Sequence, residues 1–413
     1  MMRHPQLDMF SDVLEAYAGV GHGQGVANES LYRRVARKAG LCNEGLNARV
    51  PIGKSGQMHS PAKRAIRWHQ QTLKKLGLVE RVEGERGFWR LTDAGEKKLT
   101  RALPEVAMLA FSTDLGIAIW GSCRRVFPRL DTPIVLAITS PPYPLRTPRA
   151  YGNPTEPEYV DFICRALEPV VTNLAPGGSV CLNVSNDIFE QGSPSRSLYL
   201  ERMVLALSDR LGLSLMDRLV WHNPSKPPGP IQWASKQRVQ LNVAWEPVYW
   251  FTNDPTRVSA DNRRVLEPHT ERHQRLIARG GEQREAVLAD GAYRLYHGSF
   301  GAPTSGRIPR NVISMGHVCP DQRQYRNDAV SIGLPVHGAS QPIRLASFLI
   351  KFLSVEGDLV ADPFGGKLTT AKAAEDLGRR WIVTEWILEY VRAAAERFRD
   401  ADGFRFGTGF QGA

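Results

Sequence analysis

Long apolar runs are missing from this chain of 413 residues. No segment approaches the roughly 18 consecutive apolar residues of a membrane-spanning helix, so no membrane partner is expected. The opening Met1-Met2-Arg3-His4-Pro5 leads into no apolar stretch, so no secretory leader is expected, and the chain reads as cytoplasmic. Paired cysteines are missing too. Cys42, Cys123, Cys164, Cys181 and Cys319 form no CxxC pair, which argues against a disulfide framework and a structural zinc site. His269, His273, His297, His317 and His337 show no metal-ligand spacing, and no metal is expected. Internal repeats and low-complexity tracts are absent, which sets aside solenoids and disordered tails. Lysine is absent between Asn253 and Ser340, where every basic residue is arginine.

What the chain does have is charge of one sign. Lys plus Arg number 53 against 42 Asp plus Glu, a net +11 with a pI near 9.5, which suggests a polyanionic partner. From Met1 to Arg101 there are 18 basic and 10 acidic residues, so 18 − 10 = +8 of that excess sits in the first quarter. The length calls for two or three domains.

That first quarter reads as three helices and a hairpin. Asp12–Ala18 is a first helix, and Asn28 is placed to cap a second that stops at Gly40. A loop rich in Gly, Pro and Ser follows. The third helix has Ser60 as its cap, Pro61 in its first turn and Gly77 past its end. Ala62, Ile66, Leu73 and Leu76 share one of its faces, while Lys63, Arg64, Arg67 and Lys74 lie largely off it. Leu78–Val82 and Phe88–Leu91 flank the turn Gly84-Glu85-Arg86-Gly87, and a short helix opens after Leu91. This order, with GLVERVEGERGFWRLTDAG, resembles a winged-helix domain over residues 1–101. The resemblance implies contact with double-stranded DNA through Lys63, Arg64, Arg67 and Arg86.

A connector over 102–113 leads to alternating strand-like and helical runs, as in an α/β domain with a mixed, mostly parallel sheet. Two constellations there carry chemistry. In the first, the apolar run Ile134–Ile138 ends in Thr139-Ser140-Pro141-Pro142-Tyr143. A buried strand ending in two prolines holds a rigid backbone at the sheet's carboxyl edge, where α/β folds bind ligands. Pro141 lacks an N–H and presents a fixed carbonyl, Ser140 adds a second oxygen, and Tyr143 offers a ring for stacking. An exocyclic base amine is a poor nucleophile because its lone pair is delocalised into the ring. Two acceptors at its hydrogens localise that pair and stabilise charge developing on nitrogen. In the second constellation, Asp358-Leu359-Val360-Ala361-Asp362-Pro363-Phe364-Gly365-Gly366 precedes Thr369-Thr370 and a helix. This is a strand, a glycine turn and a helix start, the layout of a nucleotide-type cofactor site. A second strand ends at Glu385, 23 residues beyond Asp362, where a ribose-binding acid belongs.

These residues resemble a known family. TSPPY is similar to motif IV of the DNA amino-methyltransferases that act on adenine N6 or cytosine N4. GDLVADPFGGKLTTAKAAEDLGRRWIVTEW is similar to their motifs I and II. HGASQPIRL resembles the HPxQKP stretch before motif I, and LVWHNPSKPPGP with AWEPVYWF resembles later catalytic motifs. The catalytic motif precedes the cofactor motif, the order of the β class.

The resemblance implies a Rossmann-like core bound to S-adenosylmethionine. Its catalytic part would span 114–252, an inserted target-recognition region 253–336, and its cofactor part 337–413. It places Ser140, Pro141, Pro142 and Tyr143 at a flipped base. Around the cofactor it places Thr139, Gln341, Pro342, Asp362, Pro363, Phe364, Gly365, Gly366, Thr369, Glu385 and Trp386. Two departures stand out: Lys367-Leu368 replaces the usual Ser-Gly after Gly366, and Gln341-Pro342 the usual Lys-Pro. Adenine N6 is named first as the target, with cytosine N4 open. C5 methylation is set aside because the chain has no Pro-Cys nucleophile. A homodimer and a cognate restriction endonuclease are partners that the family suggests. A winged-helix regulator with an inactive methyltransferase domain is the reading from another class.

Overall fold

Alternation of buried side chains along the central strands decides the architecture. Val180 and Leu182 bury on one side of their strand and Cys181 on the other; Leu359 and Ala361 oppose Val360, and Ile382 opposes Trp381 and Val383. Strands apolar on both faces need a helical layer on each. The computed structural model describes residues 24–407 except 53–56, 76–78, 93–98, 100, 103, 146–151 and 339–340, together with residues 13, 16, 17 and 20.

The core is a ten-stranded sheet. Its strands are β1 (Ala107–Ser112), β2 (Gly116–Gly121), β3 (Ile134–Thr139), β4 (Leu174–Asn183), β5 (Ser214–His222), β6 (Trp245–Thr252), β7 (Val312–Ser314), β8 (Leu359–Asp362), β9 (Arg380–Glu385) and β10 (Arg405–Phe406). Their spatial order is β7-β5-β6-β4-β3-β8-β9-β2-β1-β10. The central β4, β3, β8, β9 and β2 run parallel, while β6 and β1 flank them antiparallel. Helices α1 (Glu156–Thr172) and α2 (Tyr199–Leu211) cover one face. Helices α3 (Pro320–Ser331), α4 (Ile343–Leu353), α5 (Thr369–Asp376) and α6 (Leu388–Ala395) cover the other. A capping box starts α1: Thr155 and Glu158 exchange bonds between side chain and backbone. Gly212 ends α2 in the left-handed region at φ 67°.

Because the central strands are parallel, β4, β3, β8 and β9 all end at one edge. Neighbouring ends bring Asn183, Thr139, Asp362 and Glu385 side by side. The open end of an α/β sheet is thereby built from segments more than 200 residues apart.

Two intervals differ from the sequence reading. The connector over 102–113 contains β1, paired with β2 along its length and with β10 at its end, because Ala110 and Phe111 bury in the core. The interval 253–336 is not one unit: Ile313 of β7 and Tyr325 and Ala329 of α3 belong to the core cluster. Between them and β6, residues 267–311 carry helix Glu271–Ala278 and a hairpin of Ala286–Leu288 with Tyr293–Leu295 joined through a 3-10 turn at Ala289–Gly291, all largely exposed.

The N-terminal unit has helices at Asn28–Lys38, Asn43–Asn47 and Pro61–Lys75, packed through Leu31, Val35, Ile66 and Leu73. A three-stranded sheet joins Val79–Arg81 and Phe88–Leu91 to Val26–Ala27, and Trp89 closes the core. Ser60 caps the third helix as expected, accepting from the Lys63 N–H at 3.2 Å. Asn28 does not cap: it is the first helical residue, and its side-chain oxygen accepts from Gln70 at 2.9 Å. The loop before Ser60 contains a hairpin, Val50–Ile52 with Gln57–His59, which its mostly exposed residues did not announce. The helices expected over Asp12–Ala18 and beyond Thr92 fall largely and wholly outside the described residues.

Candidate active site

Three carboxyl-edge loops make the site. On β3, the buried Thr139 hydroxyl donates to Asp362 Oδ1 at 2.6 Å, tying the end of β3 to the end of β8. The next residue, Ser140, is half-buried, and its Oγ lies 2.8 Å from the Tyr143 hydroxyl. The Tyr143 carbonyl accepts from Leu145 N–H at 2.8 Å and from Asn153 Nδ2 at 2.7 Å. This double-proline turn is thus braced from both sides, with Pro141 buried and Pro142 and Tyr143 half-buried. Asn153 is a site residue the sequence reading missed. Its only signal was an asparagine-proline pair just before α1.

On β8, Asp362 is buried and its Oδ1 also accepts from the Phe364 N–H at 3.0 Å. Burial pushes its carboxyl up to about 6, against the pull of those two hydrogen bonds. On β9, Glu385 accepts from Gly366 N–H through Oε2 and from Ile387 N–H through Oε1, both at 2.7 Å. Burial pushes Glu385 up to about 7, and the nearby Asp362 charge adds to the rise. Two buried carboxylates therefore sit at the ends of adjacent strands.

The loop between them is tightly folded. Gly365 lies against β9, where an added Cβ would meet Val383 Cγ1 at 2.3 Å. Gly366 takes φ 54°, with His337 so close that a Cβ there would come within 3.2 Å of its ring. Leu368 takes φ 60° and is fully buried. That left-handed position is the one where the missing glycine was expected, and the turn forms without it. Lys367, the other departure, is buried too; burial lowers its ammonium to about 8, and it lies over the Tyr325 ring at 5.6 Å.

The remaining expected residues surround this loop. Gln341 and Pro342 are buried at the start of α4, and Gln341 Nε2 donates to the Thr370 hydroxyl at 3.3 Å. Buried Pro363 offers its carbonyl to the Thr384 hydroxyl at 2.9 Å. Phe364 packs on Phe162 with ring centroids 5.6 Å apart. Gln341 Oε1 and Thr369 Oγ1 are buried without a partner. Those two atoms and the two carboxylates form a set of acceptors suited to a cationic ligand bearing hydroxyls, which is the chemistry of S-adenosylmethionine. Trp386 stands apart: it is exposed, with the Arg101 guanidinium 5.5 Å from its ring. Among the described residues no group of His, Cys, Asp or Glu could hold a metal.

Of the four basic residues named in the N-terminal unit, Lys63 is drawn inward. Its ammonium lies 3.2 Å from Glu29 and over the Tyr32 ring. Arg64, Arg67 and Arg86 are exposed.

The N6/N4 family described as DNA methylase matches residues 134–396, and the Mrr N-terminal domain matches residues 8–101. The type II methyltransferase M.PvuII of Proteus hauseri is 33% identical over 294 residues, 70% of this chain and 86% of that one. M.BglII of Bacillus subtilis, also a type II methyltransferase, is 23% identical over 264 residues, covering 64% and 63% of the two chains. The solved structure of PvuII DNA methyltransferase, described as cytosine-N4-specific, shows a TM-score of 0.55. It shares 29% identity and covers 71% of this chain and 89% of that one.

Proposed function

The chain belongs to the N6/N4 family of DNA methylases, S-adenosylmethionine-dependent enzymes that methylate base amines, and we propose that its target is N4 of cytosine. The observation that carries this reading is the similarity, at 29% identity with a TM-score of 0.55, to an enzyme described as cytosine-N4-specific. It reverses the order in which adenine was named first. A serine at the head of the catalytic motif suits either base.

The residues divide the work as follows. Ser140 Oγ and the Pro141 carbonyl accept the two amine hydrogens, so the nitrogen lone pair turns out of the ring plane. Tyr143 stacks on the base, and the Asn153 bond to its carbonyl fixes the turn. Because Ser140 and Tyr143 are half-buried, the base has to leave the duplex to reach them. Asp362, Gly365, Gln341 and Pro342 hold the methionine half of S-adenosylmethionine with Thr139, Gly366 and Thr369 around them, Glu385 binds its ribose, and Phe364 packs near the adenine or the target pocket. When bound, that cofactor supplies an electrophilic methyl group on a sulfonium. Asp362 and Glu385 also place negative charge beside that cation.

The N-terminal unit is read as a winged helix, with helix Pro61–Lys75 and the strand pair Val79–Arg81 and Phe88–Leu91 as its recognition helix and wing. In this reading it grips DNA through Arg64, Arg67 and Arg86. Residues 267–311, rich in arginine, read the recognition sequence, and pairing into a homodimer follows the family's habit. The test is nucleoside mass spectrometry on DNA from cells expressing the chain. N4-methylcytosine supports the proposal, and N6-methyladenine in its place overturns the choice of base. Failure of the purified chain to bind S-adenosylmethionine by calorimetry would instead favour a DNA-binding regulator with an inactive domain.

A further inference from the structure

A loop beside the catalytic edge carries apolar residues that the reaction does not use. Strands β5 and β6 pair His222 with Trp245, and the loop 223–244 closes that end. Val248 of β6 pairs with Asn183 of β4, and Leu182 pairs with Thr139 of β3. The loop therefore rises from the same edge as Ser140, two strands away in the sheet. Its base is rigid. Asn223 N–H donates to Ala244 at 2.8 Å and Val243 N–H to Gly229 at 2.8 Å, while Trp233 and Val243 are buried. One turn of helix over Ile231–Lys236 leads to Arg238, which takes φ 61°.

The tip is the opposite of its base. Leu241 is 87% exposed, and Ile231 and Val239 are exposed beside it. Gln240 and Leu241 border a cavity of about 310 Å³ that Ala234, Ser235, Arg238 and Asn242 complete. Exposed Lys236 and Arg238 flank these apolar residues, giving a cationic rim around an apolar point. Gln240 is pinned by donating to the Pro194 carbonyl at 3.1 Å, so the tip is held in place.

Resting on the reading that a base is extracted from duplex DNA, we propose that Leu241 is the wedge that enters the gap this base leaves. A flipped base leaves a hole in the stack and an unpaired partner. Apolar side chains that fill such holes repay part of the unstacking cost. Lys236 and Arg238 fit the phosphates on either side of such a gap, and their charge selects DNA over a second copy of this basic chain.

The test uses the full chain and two duplexes carrying the methylation site mapped from cellular DNA. In one the target base is paired; in the other an abasic position stands opposite it. Leu241→Ala should slow single-turnover methylation of the paired duplex by about tenfold and restore the wild-type rate on the abasic one, where opening costs little. Leu241→Met should stay near wild type on both. An equal loss on both duplexes, or no loss on either, overturns the wedge alone. A Leu241→Ala chain whose sedimentation shows a changed oligomeric state makes this tip a contact between copies and overturns it as well. A wild-type chain that methylates no DNA overturns the proposed function, and the wedge falls with it.

Discussion

Replacing Asp362 by asparagine should make the free protein more stable while depriving it of its cofactor. The carboxyl is fully enclosed, and the structure holds it near 6 against an ordinary 3.8, chiefly because burial strips its water. By linkage, an acid whose value is raised on folding leaves stability intact below about pH 4. Stability is then lost as pH climbs from about 4 through 6. Holding the group ionised at pH 8 costs about 3 kcal/mol, since each tenfold displacement of the acid equilibrium is about 1.4 kcal/mol. Asparagine keeps an oxygen for the Thr139 hydroxyl and the Phe364 N–H, so both bonds survive. Its amide nitrogen forfeits some of the gain if it finds no acceptor, a cost of about 1–3 kcal/mol. The net expectation is a variant stabilised by up to about 2 kcal/mol at pH 8, with the advantage gone near pH 4. Urea unfolding followed by tryptophan fluorescence at pH 4.5, 6 and 8 measures this directly. Calorimetry on the same sample should show S-adenosylmethionine binding weakened at least about a hundredfold, by loss of a buried charge facing a cation. A variant less stable than wild type at pH 8, or a gap that does not change with pH, refutes the reasoning.

Other outcomes follow from single contacts. Ser140→Ala should lower kcat by about a hundredfold with little change in KM for the cofactor, because it removes one of two acceptors used in the transition state; an unchanged kcat would place the amine elsewhere. S-adenosylmethionine affinity should rise from pH 5.5 to pH 8 as Asp362 and Glu385, held near 6 and 7, ionise, and flat calorimetric affinity over that range would count against both as ligands. Arg67→Ala should weaken DNA binding and flatten its salt dependence by about 0.9 in log–log slope, the loss of one phosphate contact. Lys63→Ala should change that slope less, since Glu29 already holds its ammonium; equal slopes for the two variants would contradict the assignment. Leu368→Gly should destabilise the core by about 2 kcal/mol or more, because relief of a left-handed backbone returns about 1 kcal/mol while a fully buried leucine side chain is worth about 3.

That last pair of opposing effects shows where sequence reasoning works and where it stops. The carboxyl edge was legible because each of its residues belongs to a local pattern: an apolar strand, then prolines, glycines or an acid. Parallel pairing then made adjacency of Thr139, Asp362 and Glu385 a matter of topology. Asn153 was hidden because its partner is a backbone carbonyl, and backbone groups leave no mark in a sequence. Strand β1 was hidden for another reason. Its first three residues are exposed and the next two buried, so its apolar run does not alternate as a half-buried strand should. Asn28 misled by type, since asparagine is a good cap, yet Gln70 claims its side chain. Leu368 is the most instructive case. Glycine serves at such a position because it lacks a Cβ, but what the site requires is the turn itself. Here Gly366, the Gly365–Thr384 bond at 2.9 Å and the Leu368–Gly365 bond at 2.7 Å impose that turn. Burying a leucine offsets the strain, so a motif can lose its consensus residue and keep its geometry. If so, Leu368→Asn, which tolerates a left-handed backbone but cannot bury as leucine does, should bind cofactor as wild type does in a less stable protein. Wild-type stability in that variant would mean the leucine contributes nothing by its burial.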